Sequence, residues 1–312
     1  MEYRRLGKSG LNISEIGLGG NTFGSWIDEA ASIAVISHAL DIGINYIDTA
    51  DWYNQGQSEE FVGKAVKGRR SKVIVATKFG MAMGSGPNDK GGSRHHIIEA
   101  VNASLKRLQT DYIDLYQMHY PDPATPIEET LHALDDLVRS GKVRYIGCSN
   151  YAAWQLCEAL WTSRVHHLQS FVTVQTRYNI LERQIESELV PCCQAYGVGV
   201  IPWGPLAGGF LTGKYRKGEK ADVGRLSQPN KLYGKMLTES NWDKLMKLEA
   251  FATERSRKVG ELAIAWLLAR HWLSTVIAGA RTPQQVSFNV SAASWKLTAE
   301  EVAVVDAINS GS

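Results

Sequence analysis

Ile44-Asn45-Tyr46-Ile47-Asp48 is a short apolar run closed by an acid, and the same plan returns twice downstream. Val73-Ile74-Val75-Ala76-Thr77 leads into Lys78, and Tyr112-Ile113-Asp114-Leu115-Tyr116-Gln117-Met118 leads into His119. Each run reads as a buried strand of a parallel sheet. In such sheets the interior is packed and the carboxyl ends of the strands display the reactive groups. Tyr53 lies five residues beyond Asp48, so an acid, a phenol, a lysine and an imidazole are expected on one rim. That set points to proton-transfer chemistry.

Outward from these runs, strand and helix alternate. Gly7-Lys8-Ser9-Gly10 has the composition of a hairpin turn, and Ile16-Gly17-Leu18 reads as a short strand before a glycine-rich loop. Helical spacing follows over 30–40, 59–66, 97–108, 127–139, 152–160 and 183–196, with strands over 45–48, 72–77, 112–118, 143–148, 171–174 and 198–202. A last strand is expected over 274–277, before a helix that starts near Pro283. Eight strands in βα order suit a (β/α)8 TIM barrel of the α/β class, with an N-terminal β-hairpin and residues 1–312 forming one domain. A doubly wound sheet is the competing fold. It would want G-x-G-x-x-G after its first strand, and Gly17-Leu18-Gly19-Gly20-Asn21-Thr22-Phe23 does not give that spacing. Two long loops, 80–94 and 203–240, follow strands on the reactive rim; the second, after strand seven and containing Pro229, has the length of a lid.

The chain has 312 residues, 44% hydrophobic and 21% charged, with net charge +2. This is enough to bury a large core, and it shows no charge asymmetry toward nucleic acid. The four cysteines, Cys148, Cys157, Cys192 and Cys193, have neither metal-ligand spacing nor a disulfide pattern, so no metal is expected and a reducing compartment is. No apolar run approaches the roughly 20 residues of a membrane helix, and the N-terminus has no signal core. The expectation is a cytoplasmic protein with neither membrane nor nucleic-acid partners.

Taken singly, each rim residue has a plain structural reading: Tyr53 as packing, Lys78 as a solvated cation, His119 as a core imidazole, Asp48 as a turn cap. Taken with their surroundings they say more. The chain resembles the aldo-keto reductases of bacteria and plants over essentially its whole length. The resemblance rests on Gly43-Ile44-Asn45-Tyr46-Ile47-Asp48-Thr49-Ala50 with Tyr53, on Ala76-Thr77-Lys78, and on Asp114-Leu115-Tyr116-Gln117-Met118-His119. It continues through Gly141-Lys142-Val143-Arg144-Tyr145-Ile146-Gly147-Cys148-Ser149-Asn150, Gln175 with Tyr178-Asn179, and Pro205-Leu206-Ala207-Gly208-Gly209 with Leu211-Thr212-Gly213-Lys214.

The resemblance implies NADPH-dependent reduction of small aldehydes or ketones without a Rossmann fold. Tyr53 would then donate the proton, Lys78 would lower the phenol pKa, Asp48 would balance the buried ammonium, and His119 would orient the carbonyl oxygen. It also assigns Ser149, Asn150 and Gln175 to the nicotinamide carboxamide and Trp203 to stacking on the ring. Gly204, Pro205, Leu206, Gly208 and Lys214 would follow the pyrophosphate, and Gly20 and Thr22 of the first loop would also bind the cofactor. Gly279, Arg281, Gln285 and Asn289 would hold the adenosine end, Arg281 meeting the 2′-phosphate. Many family members carry Lys at Gly279, Arg at Gln285 and Glu at Phe288, so the chain departs from the pattern there. Trp26, Trp52 and Tyr120 are the expected substrate aromatics. The same fold also serves as a regulatory, NADP-binding β subunit of potassium channels. Those subunits generally carry Asn where this chain has His119.

Overall fold

The computed structural model describes residues 1–218, 224–227 and 236–310. Strands β1 (Tyr3–Arg5) and β2 (Asn12–Ser14) form an antiparallel hairpin. Eight parallel strands follow: β3 (Ile16–Gly19), β4 (Tyr46–Asp48), β5 (Ile74–Phe79), β6 (Ile113–Met118), β7 (Val143–Ser149), β8 (Thr173–Arg177), β9 (Gly199–Trp203) and β10 (Val276–Gly279). Neighbours in sequence pair from β3 to β9, β10 returns to β3, and a bridge between Val200 and Leu273 closes the ring. This is a (β/α)8 TIM barrel with the expected hairpin and a long segment after its seventh strand.

Helices α1 (Glu29–Asp41), α2 (Gln57–Val66), α3 (Arg94–Leu108), α4 (Ile127–Arg139), α5 (Ala153–Val165) and α6 (Leu189–Tyr196) lie between successive strands. After β9 come α7 (Glu239–Glu254) and α8 (Val259–Leu268); after β10 come α9 (Pro283–Ser291) and α10 (Ala299–Ser310). Several starts follow local chemistry. Asp28, Ser93, Thr238 and Thr282 each accept a hydrogen bond from a first-turn N–H, and Pro283 fills the position where no N–H is needed.

Sequence and structure part in four places. The expected helix over 183–196 is a 3-10 turn, Gln184–Glu186, and then α6; Pro191 suits the first turn of a helix restarting at Leu189. The expected strand over 171–174 lies two residues later, so Gln175 falls inside β8. Helices α7, α8 and α10 were not anticipated; every residue of α8 is buried, so it has no polar face to give a helical period. Finally, β5 continues through Lys78 to Phe79, which puts the lysine within the strand and not beyond it. The part of the expected lid over 219–223 and 228–235, Pro229 included, lies outside the described residues.

The barrel has two cores. The larger lies between strands and helices; the smaller gathers Tyr46, Ala76, Leu115, Ile201 and Ile277 with Leu6 and Ile13 of the hairpin region. Gly7 in that turn has φ +55°, and a Cβ there would stand 2.2 Å from the carbonyl of Val172, which accounts for glycine where the hairpin presses on the barrel floor. Side chains alternate along a strand, so the residue two beyond each inner apolar position also faces the axis. Tyr46 is thus followed by Asp48, Ala76 by Lys78, Leu115 by Gln117 and Ile201 by Trp203. An apolar layer closed below by the hairpin carries a polar layer at the carboxyl ends.

Candidate active site

Asp48 and Lys78 are buried on adjacent strands, with Lys78 Nζ 2.6 Å from Asp48 Oδ2. The ammonium also donates to the carbonyl of Thr49 at 2.8 Å and lies 3.5 Å from the hydroxyl of Tyr53. Asp48 Oδ1 accepts from Gln175 Nε2 at 2.7 Å and from Gln117 Nε2 at 3.4 Å. Gln117 had not been singled out by sequence. A buried glutamine on an inner strand position resembles any packed polar residue, and only the barrel shows that it braces Asp48.

Tyr53 sits on the loop between β4 and α2, where Asn54 (φ 49°), Gln55 (φ 52°) and Gly56 (φ 90°) are all left-handed. Two non-glycine residues in that region cost conformational energy, and such strain collects at functional loops. The loop is held by Asp51 N–H donating to the Lys78 carbonyl and by Ser58 Oγ donating to the Gly20 carbonyl. The Tyr53 and His119 rings meet edge to face at 5.8 Å, and Tyr120 stacks on His119 at 5.3 Å.

The electrostatics correct one expectation. Burial raises the Tyr53 phenol, Lys78 opposes this, and Asp48 adds to it; the net direction is upward. Lys78 does lower the phenol, as expected, but burial is the larger effect, so the phenol is not brought toward neutrality. Burial works to lower the Lys78 ammonium, but Asp48 and Tyr53 outweigh it and the pKa rises. The group next to the phenol is therefore a stable cation. His119 is pushed down to about 3 by burial and by Lys78, leaving a neutral imidazole across the neutral range. Its Nδ1 is buried without a hydrogen-bond partner among the described residues.

A second buried acid lies behind this group. Both carboxylate oxygens of Asp51 are buried; burial, then Glu59, raise its pKa to about 8 against the opposing pull of Arg107, the Trp52 backbone and Lys78. The folded state thus binds this proton more tightly than the unfolded chain does. Stability from this group is fully present below the unfolded carboxyl value near 4 and is lost as pH climbs through about 8. Asp51→Asn, which keeps the shape and removes the charge, should flatten that loss. At pH 9 the variant should exceed the native chain by about 2 kcal/mol or more in urea unfolding, with little difference at pH 5. Parallel pH–stability curves for the two proteins would refute this.

One cavity of about 960 Å³ opens over the polar layer. Asp48, Tyr53 and His119 line it, as does every residue the sequence had assigned to a cofactor; Lys78 lies just beneath. Ser149 ends β7, Asn150 follows it with φ 61°, and Trp203 ends β9. The Asn150 amide is engaged on both sides: Nδ2 donates to the His119 carbonyl and to Ser149 Oγ, each at 3.0 Å, and Oδ1 accepts from Trp203 Nε1 at 3.1 Å. Together with the Gln175–Asp48 bond, this gives the two amides a bracing role between the rim groups that sequence had not revealed.

Among the described residues the cavity is also lined by the cations Lys214, Arg225, Lys258 and Arg281. Lys214 is pushed down by burial and then by Arg281 and Arg225; Arg281 is pushed down by burial and then by Arg225. Arg225, which sequence had passed over among the many charges of its loop, also donates to Asn21 Oδ1 at 2.8 Å. Gly209, at φ +97°, leaves room for Lys214: a Cβ there would come within 3.0 Å of the ammonium. Gln285 Oε1 accepts from the Arg281 backbone N–H at 2.7 Å, fixing the residue that precedes the N-cap of α9. Of the three expected substrate aromatics, Trp52 and Tyr120 line the cavity near Tyr53. Trp26 does not line it; its ring lies 3.8 Å from the guanidinium of Arg281, which does. Among the described residues no helix is long and apolar enough to cross a membrane.

Comparison with known proteins places the chain. Residues 15–310 match the model of the Aldo/keto reductase family. A rice protein (Oryza sativa subsp. japonica) named a probable voltage-gated potassium channel subunit beta is 38% identical, covering 94% of this chain and 91% of the relative. Aldo-keto reductase YhdN of Bacillus subtilis is 37% identical, with coverage of 96% and 91%. An L-glyceraldehyde 3-phosphate reductase of Escherichia coli K12 is 35% identical, with coverage of 98% and 92%.

Proposed function

The chain belongs to the aldo/keto reductase family, and from that premise we propose that it reduces small aldehydes or ketones to alcohols with NADPH, Tyr53 acting as the acid. The observation that carries this reading is the phenol at 3.5 Å from an ammonium that is itself ion-paired to Asp48, beside a neutral imidazole, at the floor of the cavity. NADPH, bound in that cavity, would supply the hydride.

Trp203 would support the nicotinamide ring, and the cations Lys214, Arg225 and Arg281 fit its phosphates. Arg281 and the N-terminus of α9 form the natural seat for a 2′-phosphate. His119, neutral at working pH, would hold the carbonyl oxygen by a hydrogen bond, and Tyr53 would hold the proton that this oxygen receives. A raised phenol pKa suits that task. The phenol stays protonated until negative charge develops on a far more basic alkoxide oxygen. Trp52 and Tyr120 would border the substrate with apolar surface. The proposed compartment is the cytoplasm, in keeping with four cysteines that are all free.

Coenzyme choice can be read at Arg281. A guanidinium makes charge-assisted hydrogen bonds to a phosphate worth roughly 1.5–3 kcal/mol each, whereas NADH presents only a hydroxyl. Arg281→Ala should raise the Kd for NADPH at least about tenfold, the equivalent of roughly 1.4 kcal/mol, and leave NADH nearly unchanged. Titration followed by indole fluorescence measures both. Equal losses would mean that Arg281 supports its loop, and tighter NADH binding by the native chain would overturn the NADPH reading.

The relatives named as channel subunits favour a second reading, a regulatory module that binds the cofactor and turns over slowly. His119, where such subunits generally carry Asn, speaks for the reductase.

A further inference from the structure

Away from the cavity, Glu128 and His132 lie one turn apart on the exposed face of α4, and His166 caps the C-terminus of α5 beside them. Glu128 Oε1 stands 3.8 Å from His132 Nε2 and 3.7 Å from His166 Nδ1, and all three ligand atoms lie within 4.8 Å of one another. None of the three lines the active-site cavity. We propose that Glu128, His132 and His166 form a surface site for a divalent cation of the zinc type, which ties α4 to α5.

The geometry and the donor set both favour this. Four ligands around zinc at about 2.0–2.1 Å lie about 3.4 Å apart along the edges of the tetrahedron, and the two carboxylate–imidazole separations are within a few tenths of an ångström of that. Two imidazoles and one carboxylate suit zinc, nickel or copper and do not suit calcium or magnesium, which prefer oxygen alone. The fourth position is open to water, since all three residues are exposed. The scaffold is largely formed: the i,i+4 spacing sets two ligands on one helix face, and the His166 N–H donating to the Thr162 carbonyl at 3.0 Å fixes the backbone of the third. An isolated pair of exposed imidazoles would lack this preorganisation.

The experiment is calorimetric titration of the EDTA-treated full chain with zinc chloride at pH 7.5, alongside thermal unfolding with and without the metal. One saturable site is expected, with Tm raised by a few degrees at saturating zinc, because the cation binds only the folded arrangement. His132→Ala and His166→Ala should each weaken binding at least about tenfold and remove the Tm rise, while the metal-free Tm and the native chain's turnover stay as they were. Because the side chains are exposed, the metal-free Tm separates lost ligation from misfolding. If the native chain takes up no zinc, or if both variants bind it as tightly, for instance through the cysteines, the site does not exist.

Discussion

Tyr53→Phe should lower carbonyl reduction by about 10²- to 10⁴-fold, the usual worth of a general acid, while the Kd for NADPH changes less than about twofold. The substitution removes one oxygen and leaves the ring that meets His119 edge to face, so loop and cavity should keep their shape. Steady-state turnover and fluorescence titration on the same sample separate the two effects. His119 would still polarise the carbonyl, which is why a small residual rate is expected. Turnover near that of the native chain would remove Tyr53 from the proposed mechanism and leave only His119 as acid, a poor one when its imidazole is neutral down to about pH 3.

Lys78→Met should be as damaging to turnover and also costly to the fold. Asp48 would keep the donors Gln175 and Gln117 but lose its counter-charge, and an uncompensated buried charge costs about 3–5 kcal/mol. Adding Asp48→Asn removes the stranded charge. The double variant should therefore recover most of the lost stability in denaturant unfolding while its turnover stays low, because the cation beside the phenol is still missing. A double variant no more stable than Lys78→Met would show that the pair stabilises the barrel by packing and not by charge balance.

The barrel was legible because parallel strands buried on both sides leave long apolar runs, and because Asp48 and His119 break two of those runs abruptly. Lys78 was legible as a candidate site residue but misplaced. A lysine looks like the end of an apolar run, yet alternation points it into the axis while β5 goes on to Phe79. Helix α8 was hidden for the opposite reason, since burial on all sides erases the helical period that reveals amphipathic neighbours. The bracing of Asp48 by Gln117 and the cation Arg225 depend on distant strands and loops converging, which no local pattern reports. Trp26 stands apart from Trp52 and Tyr120 because an exposed aromatic on a rim loop gives no sign of its partner, and that partner is Arg281.

Turnover of carbonyl compounds with NADPH at this site is measured directly by the loss of NADPH absorbance with a panel of aldehydes and ketones, matched to the alcohol formed. Repeated turnover is expected, one alcohol per NADPH consumed, faster than with NADH and cut by about 10²- to 10⁴-fold in Tyr53→Phe. Tight NADPH binding without more than a single turnover on any compound would contradict it, and would favour the regulatory reading instead.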